Sequence, residues 1–145
     1  MALYPGCQPH HDSEKFEEQD DRENEQVFHS VCSALVPDGT FIMDYFNADQ
    51  VAANLITEDT QEQENRVIKN QRRITDDRKR VEKTVTVIEQ DGHEQVFHES
   101  VRLYRGDDLN GLARKAGFTK TTSYGSFKGE PFSTGSSRLV LVCEK

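Results

Sequence analysis

Seven residues, Thr40 to Phe46, read Thr-Phe-Ile-Met-Asp-Tyr-Phe, a nearly unbroken apolar run of strand length. Such a run is expected where helices cover both faces of a sheet, because a strand with one wet face alternates apolar with polar residues. The flanking patterns agree with a layered α/β arrangement. Val27, Val31 and Leu35 recur at i, i+4 and i+8 with Phe28 and Cys32 beside them, which predicts a helix from about Asp21 with one apolar stripe. Pro37-Asp38-Gly39 predicts the turn that ends it. Thr40 to Phe46 is then the best candidate for a central parallel strand. Asn47 is placed to cap a short helix carrying Val51, Ala52 and Leu55, with Gln50 three residues on able to return the bond.

The middle of the chain has a different period. Val81, Val85 and Val87 alternate with Glu82, Thr84 and Thr86, the mark of a half-exposed strand. Asp91-Gly92 is a hairpin turn signal. Phe97, Val101 and Leu103 predict one side of the next strand, and Arg66 to Thr75 supplies a third returning through Asp76-Asp77, so residues 64 to 104 read as an antiparallel three-stranded meander. Beyond it, Asp107 or Asp108 caps a helix bearing Leu109, Leu112, Ala113 and Ala116, with Gly117 as its left-handed end residue. Phe118 to Tyr124 and Arg138 to Cys143 predict two last strands, joined by a Gly- and Ser-rich loop from Gly125 to Ser137.

A chain of 145 residues has material for one modest core. Its 18 basic and 26 acidic residues give a net charge of −8, which repels phosphate backbones and anionic membrane surfaces and argues against nucleic acid as a partner. Residues 1 to 26 hold eight of the acids against Lys15 and Arg22, and residues 1 to 12 have no periodicity, so a disordered tail is expected there. No apolar run approaches the roughly 20 residues that cross a bilayer. Three cysteines, Cys7, Cys32 and Cys143, lack paired spacing and point to a reducing, cytoplasmic setting.

The order of these signals carries a resemblance. The helix leading to Leu35-Val36-Pro37-Asp38-Gly39-Thr40, the apolar strand, and Asp44-Tyr45-Phe46-Asn47 resemble the late part of a class I S-adenosylmethionine-dependent methyltransferase domain. Leu103-Tyr104-Arg105, Asp108-Leu109 and Ala116-Gly117-Phe118 look like that family's last helix and the entry to its sixth strand. Ser137-Arg138-Leu139-Val140-Leu141-Val142 looks like its closing antiparallel strand. The resemblance covers residues 13 to 145. It implies a partial Rossmann-like methyltransferase sheet made of the late strands and helices, with the meander as an inserted subdomain on the substrate side.

The departure is equally informative. Methyltransferases of this class admit the donor at a strand, a Gly-x-Gly-type turn and a helix. None of the nine glycines here forms Gly-x-Gly. The resemblance therefore implies S-adenosylmethionine as the family's cofactor but none bound by this chain alone. The first four strands are expected to be missing, through a truncated gene, an altered start or an expressed fragment, and the chain to be inactive by itself. The alternative is a non-catalytic, oligomeric interaction module derived from the same fold.

Substrate-side candidates are Asp44, Tyr45 and Asn47, at the end of the apolar strand where ligands sit in open α/β sheets, and Phe127, Phe132 and Ser133 in the last long loop. The plainer reading is that Asn47 only caps a helix, Asp44 pairs locally and the loop is ordinary. His10, His11 and Cys7 lack the ligand spacing of a zinc site, so no metal is expected. His93 and His98 read as solvated. The eight bases between Arg66 and Lys83 read as a solvated hairpin, with anion binding the minor alternative. An unpaired edge on Thr40 to Phe46 is expected to favour a twofold homodimer.

Overall fold

The computed structural model describes residues 13 to 145, with side chains from residue 21 onward. The expected tail and the Cys7, His10 and His11 reading lie outside the described residues. In chain order the elements are α1 (Ser13–Ala34), β1 (Thr40–Phe46), α2 (Ala48–Ala53), β2 (Glu58–Gln63), β3 (Arg66–Ile74), β4 (Arg80–Glu89), β5 (Glu94–Arg102), α3 (Gly106–Ala116), β6 (Lys120–Tyr124) and β7 (Arg138–Glu144). They divide between two compact units, one of Ala52–Leu103 and one of residues 13–51 together with Tyr104–Lys145.

In the helix-bearing unit the sheet order is β1-β7-β6. β7 runs antiparallel to both neighbours, with Met43 opposite Leu141 and Tyr124 opposite Val140, so β1 and β6 point the same way on either side of it. This corrects the central parallel strand expected at Thr40 to Phe46: among the described residues β1 pairs on one side only, and its partner is antiparallel. The apolar run is nevertheless used. Phe41, Met43 and Tyr45 pack on the core, while Ile42 on the opposite face is 62% exposed.

The core forms where the period-2 face of β7 meets the period-3.6 faces of two helices. Leu139, Leu141 and Cys143 alternate along β7, Leu109 and Ala113 come from one stripe of α3, and Phe28 and Cys32 from one stripe of α1. The α1 stripe is turned by about one residue from the expected one: Phe28 and Cys32 are buried, Val31 and Leu35 lie at the margin, and Val27 is exposed. Aromatic packing explains the turn, since Phe28 meets Phe41 edge-on at 6.0 Å and Phe41 stacks near Phe118 at 6.1 Å. Gly117 ends α3 at φ 103°, and the Gly117 and Phe118 N–H groups close onto Arg114 O and Ala113 O. At the other end Arg105, not an aspartate, holds the N-cap position, and the Asp108 carboxylate accepts the Arg105 N–H at 2.9 Å.

The other unit is a four-stranded antiparallel sheet in the order β2-β3-β4-β5. It has one strand more than the expected meander, because Glu58-Asp59-Thr60-Gln61-Glu62-Gln63 pairs along β3 without a single apolar residue. The β4–β5 turn lies at Asp91-Gly92, with Gly92 at φ 84° and the Asp91 carboxylate accepting the His93 N–H at 2.9 Å. Register places Ile74, Val81 and Val101 in one row and Asp59, Asn70, Val85 and Phe97 in another on the same face.

Buried Asn70 would be costly on that apolar face without a partner; its amide donates to Asp59 Oδ2 at 2.8 Å, and the Arg72 guanidinium pairs with the other oxygen. These donors, Arg72 foremost, hold the Asp59 carboxyl below its ordinary pKa. The sign follows: Asp59 stabilises the sheet above the unfolded carboxylate pKa, and that contribution is lost as pH falls through the lower folded value. Wild type should therefore exceed Asp59→Asn in urea midpoint near pH 6 and converge on it below about pH 4, near the unfolded carboxylate value. A gap unchanged down to pH 3 would show that the carboxylate charge contributes nothing.

Candidate functional site

The carboxyl end of β1 brings together most of the residues singled out in the sequence. Asp44 pairs with Arg138 at 2.7 Å across β1 and β7, and Arg138 lies over the exposed Phe127 ring at 4.4 Å from its centroid. Tyr45 stacks on Phe46 at 4.0 Å and tilts toward Tyr104 at 6.4 Å. The Tyr104 hydroxyl donates to Asp21 Oδ1 at 3.0 Å and accepts from Asn24 Nδ2 at 3.2 Å, which ties α1 to the start of α3. Arg105 approaches Asp49 at 3.7 Å.

Asn47 stands at the junction of strand, helix and loop, and is 2% exposed. Its Oδ1 accepts the Asp49 N–H at 3.1 Å and so caps α2. Its Nδ2 faces three loop carbonyls, Ser133 O at 3.2 Å, Thr134 O at 3.0 Å and Ser136 O at 2.7 Å. Gln50, expected to return the capping bond, donates to Thr134 O at 2.8 Å. Ser133 and Ser136 bind one another through N–H and hydroxyl contacts, and Phe132 packs against the core with its ring beside Gly106. The expected residues thus fall into two groups, Asp44 linked to Phe127 through Arg138, and Asn47 bonded to the loop that carries Phe132 and Ser133, while Tyr45 packs against the core.

Arg138, Arg105, Asp49, Tyr104, Asp21 and Asn24 were not singled out in the sequence. Arg138 had a usable signal: once β7 is set antiparallel beside β1, a basic residue at its start falls next to Asp44. The Asn24 and Asp21 contacts to Tyr104 span 80 and 83 positions and have no local signature.

Several other groups are engaged elsewhere. Burial, with Cys32 nearby as a lesser cause, pushes the Cys143 thiol up to about 11, so it is a protonated core residue at neutral pH rather than a nucleophile. Of the basic cluster, Arg72 pairs with Asp59, Arg73 with Glu82, Lys83 with Glu99, and buried Arg80 donates to Ser100 Oγ. His98 shares a hydrogen bond with Thr84 on the exposed sheet. Among the described residues no three His, Cys, Asp or Glu side chains converge as a metal site, and no helix is long and apolar enough to cross a membrane.

Three of the described glycines, Gly39, Gly106 and Gly125, stand close to other parts of the chain. Gly106 opens α3, but it follows an antiparallel strand, and a Cβ there would touch the Phe132 ring at 3.5 Å. At Gly39 and Gly125 an added Cβ would meet Val36 O at 2.8 Å and Ser136 Oγ at 2.2 Å, so both serve tight turns of the chain itself.

No protein-family model and no curated protein matches the sequence. Solved structures do. The chain is similar to the CcbJ methyltransferase from Streptomyces caelestis, with 18% identity and a TM-score of 0.58, over 84% of this chain and 49% of that one. It is similar to an S-adenosylmethionine-dependent methyltransferase from Clostridium acetobutylicum, with 14% identity and a TM-score of 0.57, over 85% of this chain and 51% of that one. A third match is CalS10, an amino pentose methyltransferase from Micromonospora echinaspora, with 16% identity and a TM-score of 0.51, over 85% of this chain and 50% of that one. The chain therefore has a methyltransferase-like fold and spans about half the length of the structures it matches.

Proposed function

We propose that the chain is the substrate-side scaffold of a methyltransferase-like domain and corresponds to its C-terminal half. The observation that carries this reading is the β1-β7-β6 order, with β7 antiparallel in the middle and a cluster of polar and aromatic residues gathered at the carboxyl end of β1. That end of a strand is where open α/β sheets place ligands. Similarity to about half of three methyltransferases supports the same reading.

Methyl transfer needs the donor sulfonium held in line with the acceptor, so it depends mainly on positioning. The residues present offer positioning on the acceptor side: the Asp44–Arg138 pair against the Phe127 ring supplies charge and an aromatic face. Since the sequence has no Gly-x-Gly turn of the kind that admits the donor, the chain alone is expected to be inactive. Titration with S-adenosylmethionine by calorimetry tests this directly. Binding no tighter than millimolar is expected, because backbone amides at a helix start and an acidic ribose partner are wanting. Micromolar binding would contradict it.

A second reading is a non-catalytic interaction module of the same fold, working as a homodimer. It is favoured by the open edge of β1 and the exposure of Ile42 on that strand.

A further inference from the structure

We propose that Asn47 is the positioning residue that latches the loop between β6 and β7 over the carboxyl end of β1, and that it is not itself a contact for substrate. The inference deepens the reading above and rests on it, since the loop bears on function only if that strand end is the ligand side.

The valences of the side chain decide the matter. An asparagine amide offers two N–H donors and one carbonyl acceptor. In Asn47 the acceptor meets the Asp49 N–H and the donors meet the carbonyls of Ser133, Thr134 and Ser136. Three acceptors already share the two hydrogens, and at 2% exposure the group, including the second lone pair of Oδ1, is closed to a ligand. One short side chain therefore starts α2 and fixes the loop at the same time. Gln50 adds a bond to Thr134 O from the next turn. Further hydrogen bonds of the loop are internal or reach the strands that carry it, Gly125 N–H to Glu130 O, Ser126 Oγ to the Glu130 carboxylate, Phe132 N–H to Ser123 O and Ser133 N–H to Ser136 Oγ, and the Phe132 ring packs on the core beside Gly106. Asn47, with Gln50 beside it, carries the hydrogen bonds that tie the Ser133–Ser136 end of the loop to the end of β1.

Asn47→Asp separates the two duties. An aspartate keeps the acceptor for the Asp49 N–H, and caps helices as well as asparagine does. Against the loop it sets an anion where three carbonyl oxygens converge, which releases the loop. Protonation reverses this, because a carboxylic acid has one O–H to donate. The charged groups carried by the elements that meet at Asn47 are Asp49 on α2, Arg105 at the start of α3, Asp44 and Arg138 on the strands, and Lys128 and Glu130 in the loop.

The test is amide hydrogen exchange by NMR on the full chain, expressed as protection factors so that intrinsic pH effects cancel. In Asn47→Asp at pH 7, protection at Phe132 and Ser136 should fall at least tenfold, the scale of a lost buried hydrogen bond, while the β6–β7 pairs from Thr121 to Tyr124 keep theirs. Below about pH 5, above the ordinary carboxylate value because burial raises it, protection should return in Asn47→Asp and not in Asn47→Ala. Wild type should show no such recovery. Independently of any variant, the Asn47 side-chain amide should exchange at least tenfold more slowly than that of exposed Asn65. Unchanged loop protection in Asn47→Asp, or an Asn47 amide that exchanges like Asn65, would overturn the latch. Neither measurement involves methyl donor or acceptor, so its failure and a failure of the methyltransferase reading are distinguishable.

Discussion

Leu141→Ala should cost the helix-bearing unit about 3–5 kcal/mol, the range for removing a fully buried leucine where the surroundings cannot collapse. Leu141 is 0% exposed and lies in β7 opposite Met43 on one side and Ser123 on the other. It packs within the cluster formed by Phe28 and Cys32 of α1 and Leu109 and Ala113 of α3, so its loss opens a hole that two helices and three strands share. Domains of this size are stable by roughly 5–15 kcal/mol, so the variant should unfold at a much lower denaturant concentration. Val36→Ala is the control. Val36 is largely exposed, and its truncation should change stability by less than about 0.5 kcal/mol. Chemical denaturation followed by circular dichroism checks both. A Leu141→Ala cost below about 1 kcal/mol, well under that range, would mean that β7 is not at the centre of the core.

The wild-type chain should self-associate at tens of micromolar, and Ile42→Lys should make it monomeric. Among the described residues β1 pairs with β7 along one edge only, and Ile42 stands 62% exposed on it. An unpaired edge beside apolar surface favours pairing with a second copy, and an inserted lysine opposes it by placing charge on the edge. At about 25 cal/mol per Å², covering several hundred Å² supplies several kcal/mol before the cost of association, enough for a weak dimer. Each copy carries a net charge of −8, so moderate salt should tighten the dimer by screening repulsion. Sedimentation velocity over a concentration series reads the state. A wild type that stays monomeric at 100 µM in both low and moderate salt would rule out the dimer.

The sequence was most legible where one period ran for two turns or more. Helix α3, its Gly117 terminus and the Asp91-Gly92 turn were readable because the apolar spacing and the special backbone positions agree within a few residues. β2 was not readable: Glu58 to Gln63 has no apolar residue, and its pairing comes from neighbouring β3 and from the Asp59 bonds to Asn70 and Arg72. The apolar run of Thr40 to Phe46 gave the strand but not its direction relative to its neighbour, because a continuous run reports burial and not polarity. At the site, Asp44, Asn47, Phe127, Phe132 and Ser133 could be chosen from position in the expected fold. Of their partners, Arg138 follows only once β7 is set beside β1, and the loop carbonyls, 86 to 89 positions from Asn47, could not be read. Contacts of that span are set by tertiary packing, for which one sequence has no local sign.

The placement of the site depends on β1 being the last strand of its sheet, with one edge bonded to β7 and the other open. Residue-by-residue amide exchange on monomeric Ile42→Lys measures this directly. The expected result is a strict alternation along Thr40–Phe46: amides directed at β7 protected, those on the open edge exchanging at least a hundredfold faster, and Val140 to Glu144 of β7 protected throughout because that stretch is paired on both sides. Uniform protection of every β1 amide in the monomer would contradict it, since another segment would then cover the edge.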